Sequence, residues 1–168
     1  ISGKNVLIVG TGSVGTEVAK RFSAFDANVI GADIFENKSE YYSKCVLIDE
    51  LDSVLHECDI IVLTLPLTDE TKGMFNKDKF DKMKDGTVLI NIARGGIIDE
   101  QAMIDALKSR KLMGAGLDVF ETEPLGEDSP LWSISNVLIS PHNSFVSDKT
   151  ADRLFEVIIT NLKAFAEE

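Results

Sequence analysis

Val6-Leu7-Ile8-Val9-Gly10-Thr11-Gly12-Ser13-Val14-Gly15 decides how the rest of the chain is read. Four apolar residues run straight into a glycine-rich turn, and an amphipathic pattern begins at Ser13. The glycines are spaced G-x-G-x-x-G. Gly10 allows a tight turn out of a strand, Gly12 lets a phosphate approach the backbone, and Gly15 lets the next helix pack close to that strand. A helix opening near Ser13 aims its free N–H groups and its positive dipole end at the same spot, where a dinucleotide pyrophosphate fits. Such a turn alone is weak evidence, because glycine-rich turns are common. It is followed by a second apolar run, Asn28-Val29-Ile30-Gly31-Ala32, ending in Asp33, 18 residues past Gly15 (33 against 15). That offset is close to the roughly 20 residues expected for an acid that accepts hydrogen bonds from the hydroxyls of an adenosine ribose.

The bulk numbers bound the alternatives. The 168 residues carry a net charge of −11, which argues against nucleic acid and against anionic membrane surfaces as partners. Hydrophobic residues make up 44% and charged residues 27%, as in a soluble globular protein, and the length suits one domain spanning residues 1–168. No apolar run reaches the roughly 18 residues of a membrane span, and no signal peptide is visible. Two cysteines, Cys45 and Cys58, give no disulfide framework, which suits a reducing cytoplasm. His56 and Cys58 lie close together, but metal-ligand spacings are absent, so both are read as structural and no metal is expected. The chain starts at Ile1, without a methionine, and enters its first strand at once; the expectation is a piece of a larger protein.

Along the chain, Ser13 to Phe25 predicts a helix with Val14, Val18, Phe22 and Phe25 on one face. Asp33 to Tyr42 reads as loop, Cys45–Ile48 as a minor strand, and Glu50–Cys58 as a short helix with Leu51, Val54 and Leu55 inward. Ile60–Leu63 is continuously apolar, the pattern of a strand covered on both faces. A helix over Asn76 to Met83, a strand over Thr87–Asn91 and a helix capped by Asp99 and running to about Ser109 follow. Gly114–Val119 and Val137–Ser140 predict two more strands. Ser147 caps a final helix with Ala151, Leu154, Phe155, Ile158, Leu162 and Phe165 on one face; Val157 and Ile159 fall outside that stripe and hint at a second contact. This alternation predicts an α/β fold: a Rossmann-like, doubly wound parallel sheet flanked by helices in three layers.

Ligands bind beyond the carboxyl ends of the strands in such sheets. The residues just after each strand are therefore the informative ones: Gly10–Gly15, Asp33, Thr64 and Pro66, Arg94, Glu121 and Glu123, and His142. Each alone has a bland reading, as a surface ion pair, a solvated acid or a core histidine. Together on one rim beside a phosphate turn they suit hydride transfer. Histidine can give a carbonyl oxygen its proton near neutrality, a carboxylate orients that imidazole and favours its charged form, and a guanidinium grips the carboxylate of a 2-oxo acid.

Gly10–Gly15, Leu65-Pro66-Leu67-Thr68, Asn91-Ile92-Ala93-Arg94-Gly95-Gly96, Gly116–Leu125 and Ser140-Pro141-His142-Asn143 resemble the D-isomer-specific 2-hydroxyacid dehydrogenases over nearly the whole chain. The resemblance implies an NAD-binding domain inserted into a smaller substrate domain built from both ends of the parent polypeptide. It implies Arg94 as substrate binder, Glu123 as partner of the acid–base His142, Asp33 at the adenosine ribose, and Asp118 at the nicotinamide carboxamide. It places Thr64 and Pro66 near the adenine. It extends the cofactor-binding set through Thr11, Ser13, Val14, Leu65, Thr71, Ile92, Ala93, Arg94, His142 and Ser144. Glu123, where formate dehydrogenases have Gln, resembles the hydroxyacid members. Asp26 departs from the glycine usual at the turn before the second strand.

The expected activity is reversible reduction of a small 2-oxo acid to an (R)-2-hydroxy acid, in a cytoplasmic homodimer paired through this domain. The alternative is a non-enzymatic NAD(H)-sensing domain like the family's corepressor branch, which keeps the same motifs. An adenosylhomocysteinase-like domain matches the fingerprint but does not explain Arg94, Glu123 and His142 together. NAD is the expected cofactor: Asp33 repels a 2′-phosphate, and Ile34-Phe35-Glu36-Asn37 offers no arginine to receive one.

Overall fold

Hydrogen bonding divides the chain into seven strands and five α-helices in a computed structural model, which describes residues 1–167. In order these are β1 (Asn5–Val9), α1 (Ser13–Ser23), β2 (Asn28–Asp33), β3 (Lys44–Leu47), α2 (Asp52–Leu55), β4 (Ile60–Leu63), α3 (Lys77–Lys82), β5 (Thr87–Asn91), α4 (Glu100–Lys108), β6 (Leu112–Leu117), β7 (Val137–Ile139) and α5 (Thr150–Glu167). Short 3₁₀ turns at Ile48–Glu50, Gly95–Ile97 and Pro130–Ser133 were not foreseen from periodicity, since three or four residues are too few to display one.

All strands pair in parallel, in the order β3-β2-β1-β4-β5-β6-β7. The order reverses direction between β1 and β4, and a parallel sheet offers its ligand crevice at such a switch point. The two faces are covered unequally. Leu7, Ile61, Leu63, Leu89, Ala115 and Leu117 pack under α2, α3 and α4 in one large core. Val6, Ile8, Val29 and Val62 pack under Ala19 of α1 in a smaller one. A leucine of the large core truncated to alanine loses about 2–5 kcal/mol. The register aligns Ile90, Gly116 and Leu138 on the face that carries α1, yet α1 packs mainly over β1 and β2, and Leu138 is 79% exposed.

Several boundaries differ from the sequence reading. Asp33 closes β2 in register with Leu47 of β3 rather than opening the loop that follows. The strand expected at Gly114–Val119 is Leu112–Leu117, which places Asp118 beyond the strand end. The helix expected over Glu50–Cys58 splits into a 3₁₀ turn and the four-residue α2, although Leu51, Val54 and Leu55 are buried as expected. In α1 the buried residues are Gly15 and Ala19, with Val18 and Phe22 packed at the edge, whereas Val14 and Phe25 are exposed. The final helix begins at Thr150, not directly after Ser147, and its apolar stripe faces solvent: Leu154, Phe155, Ile158, Leu162 and Phe165 are all exposed. Of the two residues outside that stripe, Val157 is exposed and Ile159 half-buried. Cys58 is a core residue: its thiol donates to Val54 O, and burial pushes its pKa up to about 12.

Candidate active site

The glycine-rich turn has the geometry its spacing predicts. Gly10 has φ +95°, and a Cβ there meets Leu65 N at 2.6 Å; a Cβ at Gly15 meets Gly10 O at 2.0 Å. A Cβ at Gly12 meets nothing within 4 Å, so the space beside it ahead of α1 is open. Ser13, Val14 and Ser144 line one cavity of about 690 Å³ beside this turn. Thr64 Oγ1 donates to Gly10 O (2.6 Å), so β4 clamps the turn from below. Thr71 Oγ1 donates to Pro66 O (2.8 Å) and accepts from Thr68 N (2.7 Å), closing the loop after β4 on itself. Pro66 is exposed and Leu65 buried.

Arg94 stands at the end of a short segment braced by Asn91, the last residue of β5. Asn91 Oδ1 accepts from Ala93 N (3.0 Å) and its Nδ2 donates to Arg94 O (3.0 Å). Asn91 is 1% exposed, a positioning role that strand periodicity does not reveal. Arg94 is exposed, its guanidinium donating to Ala93 O, while Ile92 is half-buried and Ala93 buried. The next residue explains how this segment meets the one carrying Glu123. A Cβ on Gly95 overlaps Phe120 C at 1.8 Å, so only glycine lets the two loops touch.

His142 and Glu123 form the pair that the sequence suggests. His142 Nδ1–H donates to Glu123 Oε2 at 2.7 Å, which leaves Nε2 for a substrate. The imidazole holds the Glu123 carboxyl below the usual carboxylate range; partial burial opposes this, and the Phe120 N–H at Oε1 (3.1 Å) and the charge of Arg94 add to it. Both side chains remain over a third exposed, at 39% and 35%. His142 sits at φ +51°, a region non-glycine residues avoid, and such strain concentrates at functional sites.

Asp118 holds that loop. It is 3% exposed and accepts from Ser140 Oγ (2.6 Å) and Asn143 N (3.0 Å) on Oδ1, and from Ser144 N (3.0 Å) on Oδ2. Burial opposes its charge, but the Ser140, Ser144 and Asn143 donors outweigh it and lower its pKa to about 2. Asp118 thus ties the end of β6 to the residues on both sides of His142. A pocket of about 190 Å³ opens beside the dyad, with Phe120, Leu125, Trp132, Ile139 and Pro141 among its walls.

At the far end of the rim, Asp33 Oδ2 accepts from Thr11 N (2.6 Å) and Thr11 Oγ1 (3.1 Å). The glycine-rich turn, Asp33, Arg94 and the Glu123–His142 pair therefore occupy the carboxyl edge of one parallel sheet. Fold and rim together are those of a Rossmann-like nucleotide-binding domain. The family model described as "D-isomer specific 2-hydroxyacid dehydrogenase, NAD binding domain" matches residues 1–144, and the chain belongs to that family.

A hydroxypyruvate reductase from Blautia hydrogenotrophica is 39% identical over 98% of this chain and 51% of its own length. A D-3-phosphoglycerate dehydrogenase from Archaeoglobus fulgidus is 42% identical over 84% of this chain and 27% of its own. The structure of a probable 2-hydroxyacid dehydrogenase from Rhizobium etli, solved with NADP, HEPES and L(+)-tartaric acid, superposes with a TM-score of 0.89 at 35% identity, covering 98% of this chain and 52% of that one. The chain spans about half the length of the reductase and a quarter of the phosphoglycerate enzyme. No helix among the described residues is long and apolar enough to cross a membrane.

Proposed function

We propose that this chain is the cofactor domain of an NAD-dependent D-2-hydroxyacid dehydrogenase that interconverts a small 2-oxo acid and its (R)-2-hydroxy acid. The observation that carries this reading is the 2.7 Å His142–Glu123 pair on the same rim as Arg94 and the glycine-rich turn. NADH, when bound, supplies the hydride that reaches C2. The open space at Gly12 and the donors of α1 receive its pyrophosphate, Asp33 its adenosine ribose, and the loop Thr64–Thr71 its adenine. The remaining acceptor capacity of Asp118 Oδ2 suits the carboxamide N–H.

Arg94 grips the substrate carboxylate and polarises the carbonyl. His142 Nε2–H gives its proton to the carbonyl oxygen as the C2–H bond forms, and Glu123 stabilises the imidazolium before that transfer. Oxidation runs these steps backwards, with neutral His142 taking the hydroxyl proton. A substrate domain contributed by the parent chain closes over this rim, and the exposed stripe of α5 offers it an apolar surface. A cytoplasmic homodimer paired through this domain completes the proposal.

The test is NADH oxidation by the full-length protein with a panel of glyoxylate, hydroxypyruvate, pyruvate and longer 2-oxo acids, with chiral analysis of the product. The expected result is an (R)-2-hydroxy acid, and a loss of about 10²-fold or more in both directions in His142→Ala. Absence of turnover with every acid, joined to NADH-dependent capture of a protein partner, would instead support the NAD(H)-sensing reading.

A further inference from the structure

We infer that Thr11 is a positioning residue that fixes Asp33 for the adenosine ribose and thereby sets a preference for NAD(H) over NADP(H). The inference rests on the reading of Asp33 as the ribose acid. Thr11 is the first variable residue of the glycine-rich turn, a position that the sequence places against the cofactor. The structure places its side chain elsewhere. Thr11 is 2% exposed, and its methyl lies against Gly31 of β2, where a Cβ would stand 2.8 Å from Thr11 Cγ2. The missing side chain at Gly31 is what admits the methyl to the sheet surface, and a β-branched residue so lodged has one χ1. That rotamer directs the hydroxyl at Asp33.

Every polar atom of Thr11 is engaged. Its N–H and Oγ1–H both donate to Asp33 Oδ2, at 2.6 and 3.1 Å. Its carbonyl accepts from Asn37 Nδ2 at 2.6 Å and from Thr16 Oγ1 at 3.1 Å. Asp33 Oδ1 accepts from Ile34 N at 2.7 Å. A carboxylate offers about four acceptor positions. Two donors fill Oδ2 and one occupies Oδ1, so the remaining position is on Oδ1. A ribose hydroxyl brings the donor that this position lacks. A 2′-phosphate brings only acceptors and negative charge to an anion that Thr11 prevents from turning aside. Discrimination of this kind requires a carboxylate that stays in place, and the Thr11 hydroxyl supplies the side-chain half of that restraint.

The experiment is calorimetric titration of the chain with NADH and with NADPH, in wild type, Thr11→Ser, Thr11→Val and Thr11→Ala, each checked for folding by circular dichroism. Wild type should prefer NADH by at least about tenfold. Thr11→Ser keeps the hydroxyl but loses the methyl that sets its rotamer, and its ratio should fall between those of wild type and Thr11→Val. Thr11→Val preserves shape and backbone but removes the donor, and Thr11→Ala removes methyl and donor in a smaller side chain. Both should weaken NADH by roughly five- to tenfold, as for loss of a hydrogen bond to a charged group, while NADPH holds or improves. Unchanged preference in both Thr11→Val and Thr11→Ala overturns the role of Thr11, as does an equal loss for the two cofactors, which marks a purely structural residue. Equal affinity of wild type for NADH and NADPH removes instead the role of Asp33 on which the inference stands.

Discussion

Asp118 does more in the folded protein than the sequence reading gives it, which sets it inside a strand and, by resemblance, at the nicotinamide carboxamide, with no part in holding a loop. Its charge is held in the folded protein by Ser140, Asn143 and Ser144, with a pKa of about 2 against an ordinary 3.8. A depressed carboxylate stabilises the fold above its unfolded pKa and loses that contribution as pH falls through the folded value. The window is therefore roughly pH 4 down to 2. The shift corresponds to a contribution on the order of 2 kcal/mol at neutral pH. Asp118→Asn should lower unfolding free energy by about that amount at pH 7, and denaturant titrations should find the gap narrowing below pH 4. Equal stability at pH 7 would mean that the three donors do not hold the loop through charge. Such a role was hidden in the sequence because Ser140, Asn143 and Ser144 lie more than twenty residues away and meet Asp118 only when β6 and β7 pair. Arg94, Glu123 and His142, by contrast, were readable, because a parallel sheet sends the residues after its strands to one rim whatever the packing below.

At the level of elements, continuous apolar runs located β1 and β4 nearly to the residue, since strands covered on both faces need little else, and β5 was equally legible although its Val88 and Ile90 are only half-buried. Helix ends were less readable where tertiary bonds decide them. The α5 stripe is the clearest case: 3.6-residue periodicity reveals that an apolar face exists but not what covers it, and Leu154 and Phe165 stand in solvent. The turn between α1 and β2 is a further departure from local preference. Asp26 adopts φ +57° there, while its carbonyl accepts from Gly3 N (2.9 Å) and its amide donates to Ser23 O (3.0 Å). A left-handed residue with a Cβ is strained by roughly 1 kcal/mol relative to glycine. Asp26→Gly should raise the unfolding free energy by up to about that amount and leave NADH affinity unchanged. Asp26→Ala, without the short polar side chain that tolerates this region, should lower it. Guanidinium melts of the three proteins check the order; a less stable glycine variant would contradict the strain assigned to this turn.

In the molecule as a whole, the candidate site lies on an open edge. Glu123 and His142 are each over a third exposed, Arg94 is exposed, and nothing among the described residues closes above them. Hydride transfer requires a substrate held in reacting geometry with solvent excluded. The purified 168-residue chain is therefore expected to bind NADH with negligible turnover of any 2-oxo acid, as read by absorbance at saturating NADH. Robust turnover by this chain alone would remove the need for a second domain. In the full-length protein the central claim is that the loops after β6 and β7 converge to make one working acid–base pair beside Arg94, in which Glu123 supplies charge to His142. In the proposed mechanism reduction draws on protonated His142, so its rate falls as pH rises through the basic limb of the profile. Glu123→Gln keeps shape and a hydrogen bond but removes the charge. The most direct measurement is kcat/KM for reduction against pH, in wild type and Glu123→Gln. A basic limb displaced to lower pH in the variant is the predicted result, and an unchanged basic limb would contradict the pairing.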